Sequence, residues 1–335
     1  MSTPLPGFAG QLVAVTGAEG FIGSHLVEAL LTQGARVRAL VLYNSFSALG
    51  WLEELQQHPG LEIVFGDVRD AVQMRKFAEG AQLLFHLAAL ISVPYSYRAA
   101  ESFIETNVRG TLNILEAALA AGVRRLVQTS TSEVYGTPHS VPIAETHPLH
   151  PQSPYAASKI GADALALSYH AAHKLPLVIA RPFNTFGPRQ STRAVIPTII
   201  TQFVAGKKEL ALGELTSTRD FSFVQNTVAG LLAIGLAPEV EGEVINLGSN
   251  FEISIEDLAR RIGALMGRDF SFLQEQQRKR PEASEVRRLW CDAAKAKALC
   301  NWSPAVTFEQ GLRQTIAWYS EPANLARFRP GIYLD

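Results

Sequence analysis

Tyr155 and Lys159 stand four residues apart in a segment that follows Ser153-Pro154 and has the periodicity of a helix. That spacing places both side chains on one helical face. A lysine ammonium lowers the pKa of a neighbouring tyrosine, and the tyrosinate can then take a proton from an alcohol. Taken alone, such a pair is also what chance places on a packing helix, so its meaning depends on the rest of the chain.

A second group of reactive side chains, Thr131, Ser132 and Glu133, follows a short apolar run that ends at Thr129. The hydroxyls can orient a substrate hydroxyl, and the carboxylate can accept a proton. Glu133 distinguishes this group from the site of a simple alcohol dehydrogenase, whose chemistry needs no second base. The alternative role of the serine and threonine is to cap a turn.

A glycine-rich segment, residues 17–23, follows the first predicted strand and opens the first predicted helix. Gly17 permits a tight turn, Gly20 lets the backbone approach a pyrophosphate, and Gly23 lets helix and strand pack closely. The free N–H groups and the positive end of the helix favour phosphate. At this junction the pattern indicates dinucleotide binding rather than an ordinary turn, and it favours the catalytic interpretation of the tyrosine–lysine pair. The predicted cofactor contacts here are Gly17, Gly20, Phe21, Ile22 and Gly23.

The residue that usually binds the adenosine ribose of NAD is missing. It is an acid about 20 residues further on, at the end of the second strand, but residues 40–45 read Leu-Val-Leu-Tyr-Asn-Ser. The arginine that usually binds the 2′-phosphate of NADP is absent from this stretch as well. Asn44 and Ser45 can hydrogen-bond either ribose. NAD is the predicted cofactor, and NADP stays open as an alternative.

Two further strand ends are predicted to contact the cofactor, because ligands of open parallel sheets bind beyond the carboxyl ends of the strands. The third strand ends at Asp67, where the adenine would lie, and the fourth is followed by small side chains. For His86, which ends the fourth strand, a buried and hydrogen-bonded core histidine is favoured over a catalytic one. The predicted contacts are Asp67, Val68, Leu87, Ala88 and Ala89.

The elements that must position these residues alternate along the first half of the chain. Apolar runs predict strands at 12–16, 37–42, 61–65, 83–86, 126–129 and 177–180, and helical periodicity predicts helices at 21–32, 71–78, 101–121 and 154–173. This rhythm predicts an α/β fold, a Rossmann-type doubly wound parallel sheet covered on both faces. We assign residues 1–181 to a cofactor-binding domain, to which some later segments return, and 182–335 mainly to a smaller substrate-binding lobe.

The composition excludes several classes of protein. The 335 residues suffice for about two domains, and 30 Lys+Arg against 31 Asp+Glu leave a net charge of −1. This balance predicts no nucleic-acid partner and no membrane partner, and no apolar run is long enough to span a bilayer. Two cysteines and no His/Asp/Glu cluster at ligand spacing predict no disulfide framework and no metal site, as in a cytoplasmic protein.

Several motifs carry a more specific resemblance. They are the glycine segment 17–23, His86-Leu-Ala-Ala89, Asn107, Thr131-Ser-Glu133, Tyr155-Ala-Ala-Ser-Lys159, Arg181-Pro-Phe-Asn184 and Arg219-Asp-Phe221. In these motifs the whole chain resembles the extended short-chain dehydrogenase/reductase family, in its nucleotide-sugar epimerase/dehydratase group. The resemblance implies that Asn107, Tyr155, Lys159 and Pro182 also contact NAD.

The resemblance implies a nucleotide-sugar 4,6-dehydratase. Tyr155 would take the C4 hydroxyl proton while hydride passes from C4 to NAD⁺, with Lys159 holding the ribose and Thr131 bonding the C4 oxygen. Glu133 would remove the C5 proton, water would leave from C6, and the returning hydride would give a 4-keto-6-deoxy sugar. Residues 41–46, 91–97 and 284–292 most resemble the N-acetylglucosamine 4,6-dehydratases of legionaminic acid pathways, which implies a UDP- or GDP-linked N-acetylglucosamine substrate.

Ser132 departs from the typical hexose 4,6-dehydratases, which carry an aspartic acid there to protonate the leaving C6 hydroxyl. UDP-glucuronate decarboxylases share Thr-Ser-Glu and are therefore the alternative. A 4-epimerase is disfavoured because those relatives usually lack a carboxylate at the position of Glu133. A non-catalytic NAD-binding protein is disfavoured because Tyr155 and Lys159 are both present.

The C-terminal half supplies arginines whose guanidinium groups suit a diphosphate. Arg219 and Arg280 match family motifs, whereas a surface ion pair is favoured for Arg189. For Glu285, sugar or nucleotide hydroxyls and a structural ion pair are equally favoured. The predicted substrate contacts are Ser92, Asn184, Arg193, Arg219, Arg280 and Glu285.

The predicted helices 101–121 and 154–173 carry many alanine and leucine residues. In this family such helices pair across a two-fold axis as a four-helix bundle, which implies a homodimer. The alternative is that their apolar faces only cover the sheet.

Overall fold

The computed structural model describes residues 7–275, 278 and 280–328. The strands within these residues are β1 (Leu12–Thr16), β2 (Arg36–Leu42), β3 (Leu61–Gly66), β4 (Leu83–His86), β5 (Arg125–Thr129), β6 (Leu177–Pro182), β7 (Asn184–Phe186), β8 (Glu209–Leu212), β9 (Thr218–Phe223), β10 (Val244–Leu247), β11 (Glu252–Ser254), β12 (Ser271–Gln274) and β13 (Arg288–Leu289). The helices are α1 (Phe21–Thr32), α2 (Ala71–Ala78), α3 (Val93–Ser96), α4 (Ala100–Phe103), α5 (Gly110–Ala121), α6 (Pro154–His173), α7 (Val195–Val204), α8 (Val224–Leu236), α9 (Ile255–Met266), α10 (Ala294–Cys300), α11 (Phe308–Ser320) and α12 (Pro322–Leu325).

The main sheet confirms the predicted Rossmann-type fold. Its seven strands run in the order β3-β2-β1-β4-β5-β6-β10, and every neighbouring pair is parallel. The connections reverse direction between β1 and β4, and the carboxyl ends of these strands flank the crevice where such sheets bind ligands. Strand β10 belongs to this sheet although it lies after residue 181 in the sequence.

Both faces of the sheet are covered, because successive side chains of a strand point to opposite sides. Val13 and Val15 of β1 belong to the core cluster under α1 and α8, whereas Ala14 belongs to the cluster under α2, α5 and α6. Burying a valine or leucine side chain in this way stabilises the fold by about 1.5–3 kcal/mol. The two apolar layers therefore hold the strand ends, and the residues that follow them, in fixed positions.

One predicted helix differs from the structure. The segment 101–121 consists of α4, a π-helical turn over Ile104–Arg109, and α5. Asn107 lies in the π turn and is 1% exposed; its amide bonds both the N–H and the carbonyl of Leu90 and the hydroxyl of Ser158. The wider turn brings this side chain into register with both partners, a use of π turns common near functional sites.

The C-terminal half builds small sheets beside the main one. Strand β9 lies between β11 and β13 and also pairs with β7, and β8 pairs with β12. Residues of β7, β8, β9 and helix α7 line the crevice together with residues from the carboxyl ends of the main sheet. Among the described residues, no helix has the length and apolar character needed to cross a bilayer.

Candidate active site

A cleft of about 1100 Å³ lies beyond the carboxyl ends of the main strands, between them and the C-terminal half. Every predicted site residue lines this cleft except Asn44 and Asn107. The structure therefore brings the glycine loop, the tyrosine–lysine pair, the Thr-Ser-Glu turn and the arginines into one space.

The glycine loop is packed too closely for side chains at two of its positions. Gly17 has a φ of +65°, and a Cβ there would lie 2.8 Å from the Ala88 nitrogen. A Cβ on Gly23 would lie 2.1 Å from the Gly17 carbonyl oxygen. Helix α1 begins after Gly20 with no side-chain cap, so its first N–H groups stay available to a phosphate at the cleft wall.

His86 has the structural role favoured by the sequence. Its Nδ1 lies 2.7 Å from the Thr16 hydroxyl, and its Nε2 lies 3.2 Å from the hydroxyl of Thr111. The Thr16 hydroxyl accepts the N–H groups of Leu87 and Ala88, both at 3.1 Å. This chain of hydrogen bonds suits a neutral imidazole and fixes the backbone that forms the cleft wall after β4.

Burial lowers the pKa of His86 from 6.5 to about 3. Below pH 6.5 the unfolded chain binds a proton there that the folded chain does not, so the stability contribution is lost as pH falls. Between pH 7 and pH 5 we expect a loss of about 2 kcal/mol in the free energy of unfolding. Urea unfolding of the wild type and of His86→Gln at both pH values isolates this contribution. Equal pH dependence in the two proteins would contradict it.

Asp220 does not affect that comparison. Burial raises its pKa from 3.8 to about 6, which stabilises the folded chain as pH falls below 6. The sign is opposite to that of His86, but the contribution is common to both proteins.

Tyr155 and Lys159 start helix α6, whose N-cap Ser153 accepts the N–H of Ala156 at 3.1 Å. Tyr155 is 7% exposed, and burial raises its pKa, an effect that its hydrogen bond to Thr131 opposes. The Lys159 ammonium donates to the carbonyl of Thr129 at 2.7 Å. Burial of Lys159 lowers its own pKa. In this structure burial, rather than the lysine, dominates the pKa of the tyrosine.

A buried ion pair supports the Thr-Ser-Glu turn from below. Asp163 accepts from Arg181 at 3.0 Å and from the Ser130 hydroxyl at 2.6 Å. Arg181 also donates to the Tyr135 hydroxyl at 3.1 Å. The two charged side chains are 2% and 4% exposed, so each depends on the other for its stability. The sequence did not single out Asp163, although this residue lies on α6 one turn after Lys159.

We expect Asp163→Ala to reduce the free energy of unfolding by about 3–5 kcal/mol, because it leaves the Arg181 guanidinium buried without its partner. Glu62→Ala is the matched control: its ion pair with Arg38 is on the surface, with Glu62 52% exposed, and its loss costs about 1 kcal/mol or less. Chemical denaturation measures both. A small effect of Asp163→Ala would show that the pair does not support the turn.

Glu133 of the Thr-Ser-Glu turn begins a row of four charged side chains that extends into the C-terminal half. Glu133 lies 3.6 Å from Arg280, Arg280 lies 3.9 Å from Glu285, and Glu285 lies 3.1 Å from Arg219. Glu285 therefore makes the structural ion pair that was one of its two predicted roles. The guanidinium groups of Arg219 and Arg280 lie in the cleft near the Thr-Ser-Glu turn, where an anionic ligand can bind them.

The remaining predicted residues are placed as follows. The side chain of Asn44 makes hydrogen bonds within the loop 42–48, and that of Asn107 bonds the backbone of Leu90. Neither side chain lines the cleft. Arg193 is exposed at the cleft, and Arg189 pairs with Glu28 at 2.6 Å as expected. No group of three or more potential metal ligands occurs within the described part of the chain.

The comparisons with known proteins agree with this geometry. The chain is 34% identical to a dTDP-glucose 4,6-dehydratase of Streptomyces griseus, covering 91% of this chain and 93% of that protein. It is also 34% identical to a UDP-N-acetyl-alpha-D-glucosaminuronate decarboxylase of Bacillus cytotoxicus, covering 92% and 98%. The crystal structure of DesIV, a dTDP-glucose 4,6-dehydratase of Streptomyces venezuelae with NAD bound, superposes with a TM-score of 0.86 at 31% identity, covering 96% and 99%.

The match to a protein-family model covers as much of the chain as the matches to single proteins. Residues 14–315 match the family described as GDP-mannose 4,6 dehydratase, a range that includes the glycine loop, the tyrosine–lysine pair, Arg219 and Arg280. The chain therefore belongs to this family, within the extended short-chain dehydrogenase/reductases that its motifs predicted.

Proposed function

We propose that the protein is an NAD-dependent 4,6-dehydratase of a nucleotide sugar, with UDP- or GDP-N-acetylglucosamine as substrate. One observation carries the proposal: Thr131, Glu133 and Tyr155 line the same cleft as the glycine loop. An alcohol oxidation needs only the tyrosine and the threonine, so the carboxylate beside them supports a second proton transfer. The low cysteine content of the sequence favours a cytoplasmic location for such an enzyme.

The first step is removal of the proton of the C4 hydroxyl. Tyr155 is the base, and Thr131, already hydrogen-bonded to it, orients the C4 oxygen. NAD⁺, when bound, would accept the C4 hydride and place its positive charge beside Tyr155. Burial, and to a lesser extent the carboxylates of Glu133 and Asp163, raise the pKa of this tyrosine, so it would stay protonated until that charge is present.

The second step is loss of water across C5 and C6. A keto group at C4 acidifies the C5 proton, which Glu133 removes. Ser132 is a poor acid, so Glu133 passes the same proton to the C6 oxygen, which leaves as water. The hydride removed from C4 in the first step would then return to C6 while a solvent proton adds at C5, which balances the reaction and gives the 4-keto-6-deoxy sugar.

The substrate's diphosphate is held by the arginines of the C-terminal half. Arg219 and Arg280 reach the cleft from β9 and from the segment before β13, and Arg193 adds a third guanidinium at its exposed side. Asn184 Oδ1 is buried without a partner and would accept a substrate hydroxyl or N–H. Resemblance in residues 41–46, 91–97 and 284–292 supports an N-acetylglucosamine substrate.

The test is incubation of the purified protein with UDP-N-acetylglucosamine, GDP-N-acetylglucosamine, dTDP-glucose and UDP-glucuronate, followed by mass spectrometry. We expect loss of one water from one or both N-acetylglucosamine nucleotides. Dehydration of dTDP-glucose alone would retain the reaction class and overturn the substrate. No loss of water from any of the four would overturn the proposal.

A second candidate function, decarboxylation of a nucleotide-linked uronate, is favoured by one specific contact. Arg280 lies 3.6 Å from Glu133, so a cation stands where a C6 carboxylate would approach the catalytic turn. The similarity to a decarboxylase of Bacillus cytotoxicus points the same way. In the experiment above, loss of carbon dioxide from UDP-glucuronate would support this alternative.

We also propose that the protein is a homodimer. Apolar side chains of the π turn, α5 and α6 surround a shallow second cavity, lined in part by Ile104, Val108, Leu112 and Leu165, and Ile104 is 48% exposed. Such a surface is typical of a helix-pairing interface. Equilibrium sedimentation that shows only monomer at micromolar concentration would overturn this proposal.

A further inference from the structure

Glu19, in the middle of the glycine loop, reaches the end of strand β2, where the sequence lacks a ribose-binding acid. Its Oε1 accepts the N–H of Leu42 at 2.9 Å. Its backbone carbonyl accepts the N–H of Trp51 at 3.1 Å. Gly50 makes this approach possible, because a Cβ there would lie 2.7 Å from the Glu19 carbonyl oxygen. The end of β2 thus holds the carboxylate of Glu19, and the segment after β2 holds its backbone.

The second carboxylate oxygen has no partner. Glu19 Oε2 is buried and makes no hydrogen bond, although the side chain lines the cleft together with Leu42, Trp51 and Asp67. Burial raises the pKa of Glu19. A buried acceptor without a partner destabilises the protein, so its position indicates a donor that arrives with a ligand.

Neighbouring side chains do not fill the same role. Asp67 is the nearest acid at this end of the cleft, and its carboxylate is paired with Arg69 at 2.6 Å. Asn44 is engaged in its own loop. Of the polar side chains described at the end of β2, Glu19 is the one that faces the cleft with a free acceptor.

We propose that Glu19 supplies the missing ribose-binding acid, with Oε2 accepting the 2′-hydroxyl of the adenosine ribose, and that it thereby selects NAD over NADP. The inference rests on the proposed function, which requires a nicotinamide dinucleotide in this cleft. The 2′-phosphate of NADP would place its negative charge against the carboxylate. It also replaces the 2′-hydroxyl, so Oε2 would have no donor. The acid therefore reaches the end of β2 from the glycine loop, about 20 residues earlier than the usual pattern places it.

The test measures binding rather than activity. Isothermal titration calorimetry of protein freed of nucleotide gives the Kd of NAD⁺, NADP⁺ and NAD⁺ with a 2′-deoxyadenosine ribose. For Glu19→Gln we expect NAD⁺ to bind about 10–100-fold more weakly, as for loss of a charged hydrogen bond, and the preference for NAD⁺ over NADP⁺ to fall. We also expect the 2′-deoxy analogue to bind the wild type more weakly than NAD⁺ does, and to lose no further affinity in the variant.

Glu53→Gln is the matched control. Glu53 lies in the segment after β2 that packs on the glycine loop, and it accepts the N–H of Leu49 at 2.8 Å. Its side chain does not line the cleft, so its substitution should leave the preference for NAD⁺ unchanged. Glutamine at position 19 can still accept from Leu42, and circular dichroism checks the fold of both variants. If Glu19→Gln weakens all three nucleotides equally, or none, Glu19 only braces the loop and the inference is overturned. If the wild type binds neither NAD⁺ nor NADP⁺, the proposed function falls as well.

Discussion

Tyr155→Phe is expected to lower kcat by about 10²–10⁴-fold, the usual contribution of a general base. In the proposed mechanism the ionised oxygen of Tyr155 takes the C4 hydroxyl proton, and in the structure this side chain is buried at the cleft beside Thr131. Phenylalanine keeps the ring and its edge contact with Phe103, so the fold and nucleotide binding should be preserved. Steady-state kinetics and the Kd of NAD⁺ measure the two effects separately.

Tyr97→Phe is the control for that substitution. The Tyr97 hydroxyl bonds the Ser284 hydroxyl at 2.5 Å, and the side chain does not line the cleft. We expect its kcat to change little. An equal loss in both variants, or a Tyr155→Phe enzyme with normal kcat, would remove the tyrosine from the proposed mechanism.

Glu133→Gln is expected to lower the rate of water elimination by a similar factor, about 10²–10⁴-fold, because glutamine cannot accept the C5 proton. Exchange of the C5 hydrogen with deuterium from heavy water should be lost with it, as read by mass spectrometry of recovered substrate and product. Glu133→Asp keeps a carboxylate and should keep part of the activity. A glutamine variant that still eliminates water would show that another group is the base.

Much of the fold follows from the sequence, because each strand of the main sheet is a short apolar run and each crossover helix has a clear start. Helix α6 begins at Pro154, after the capping Ser153, as predicted. The π turn in 104–109 could not be predicted, since its cause is Asn107 bonding Leu90 and Ser158 across the fold. The sequence predicted that some segments after residue 181 return to the first domain, but not which, because the place of strand β10 beside β6 depends on tertiary packing.

The candidate site divides in the same way. Residues at the ends of strands, such as Thr131 and Ala88, could be predicted because parallel strands present their carboxyl ends at one edge. The contact between Glu133 and Arg280 joins residues far apart in sequence, and no local pattern specifies it. The position of Glu19 depends on how residues 42–50 fold back over the glycine loop, so the sequence suggested only that an acid was missing.

The most direct test of the proposed reaction follows the hydrogen on C4. We predict that N-acetylglucosamine nucleotide carrying deuterium at C4 gives a product that has lost water and bears the deuterium at C6, because the hydride taken from C4 is returned to C6. Mass spectrometry and proton NMR locate the label. A product that carries the deuterium at C4 again, as decarboxylation or epimerisation would leave it, would contradict the account.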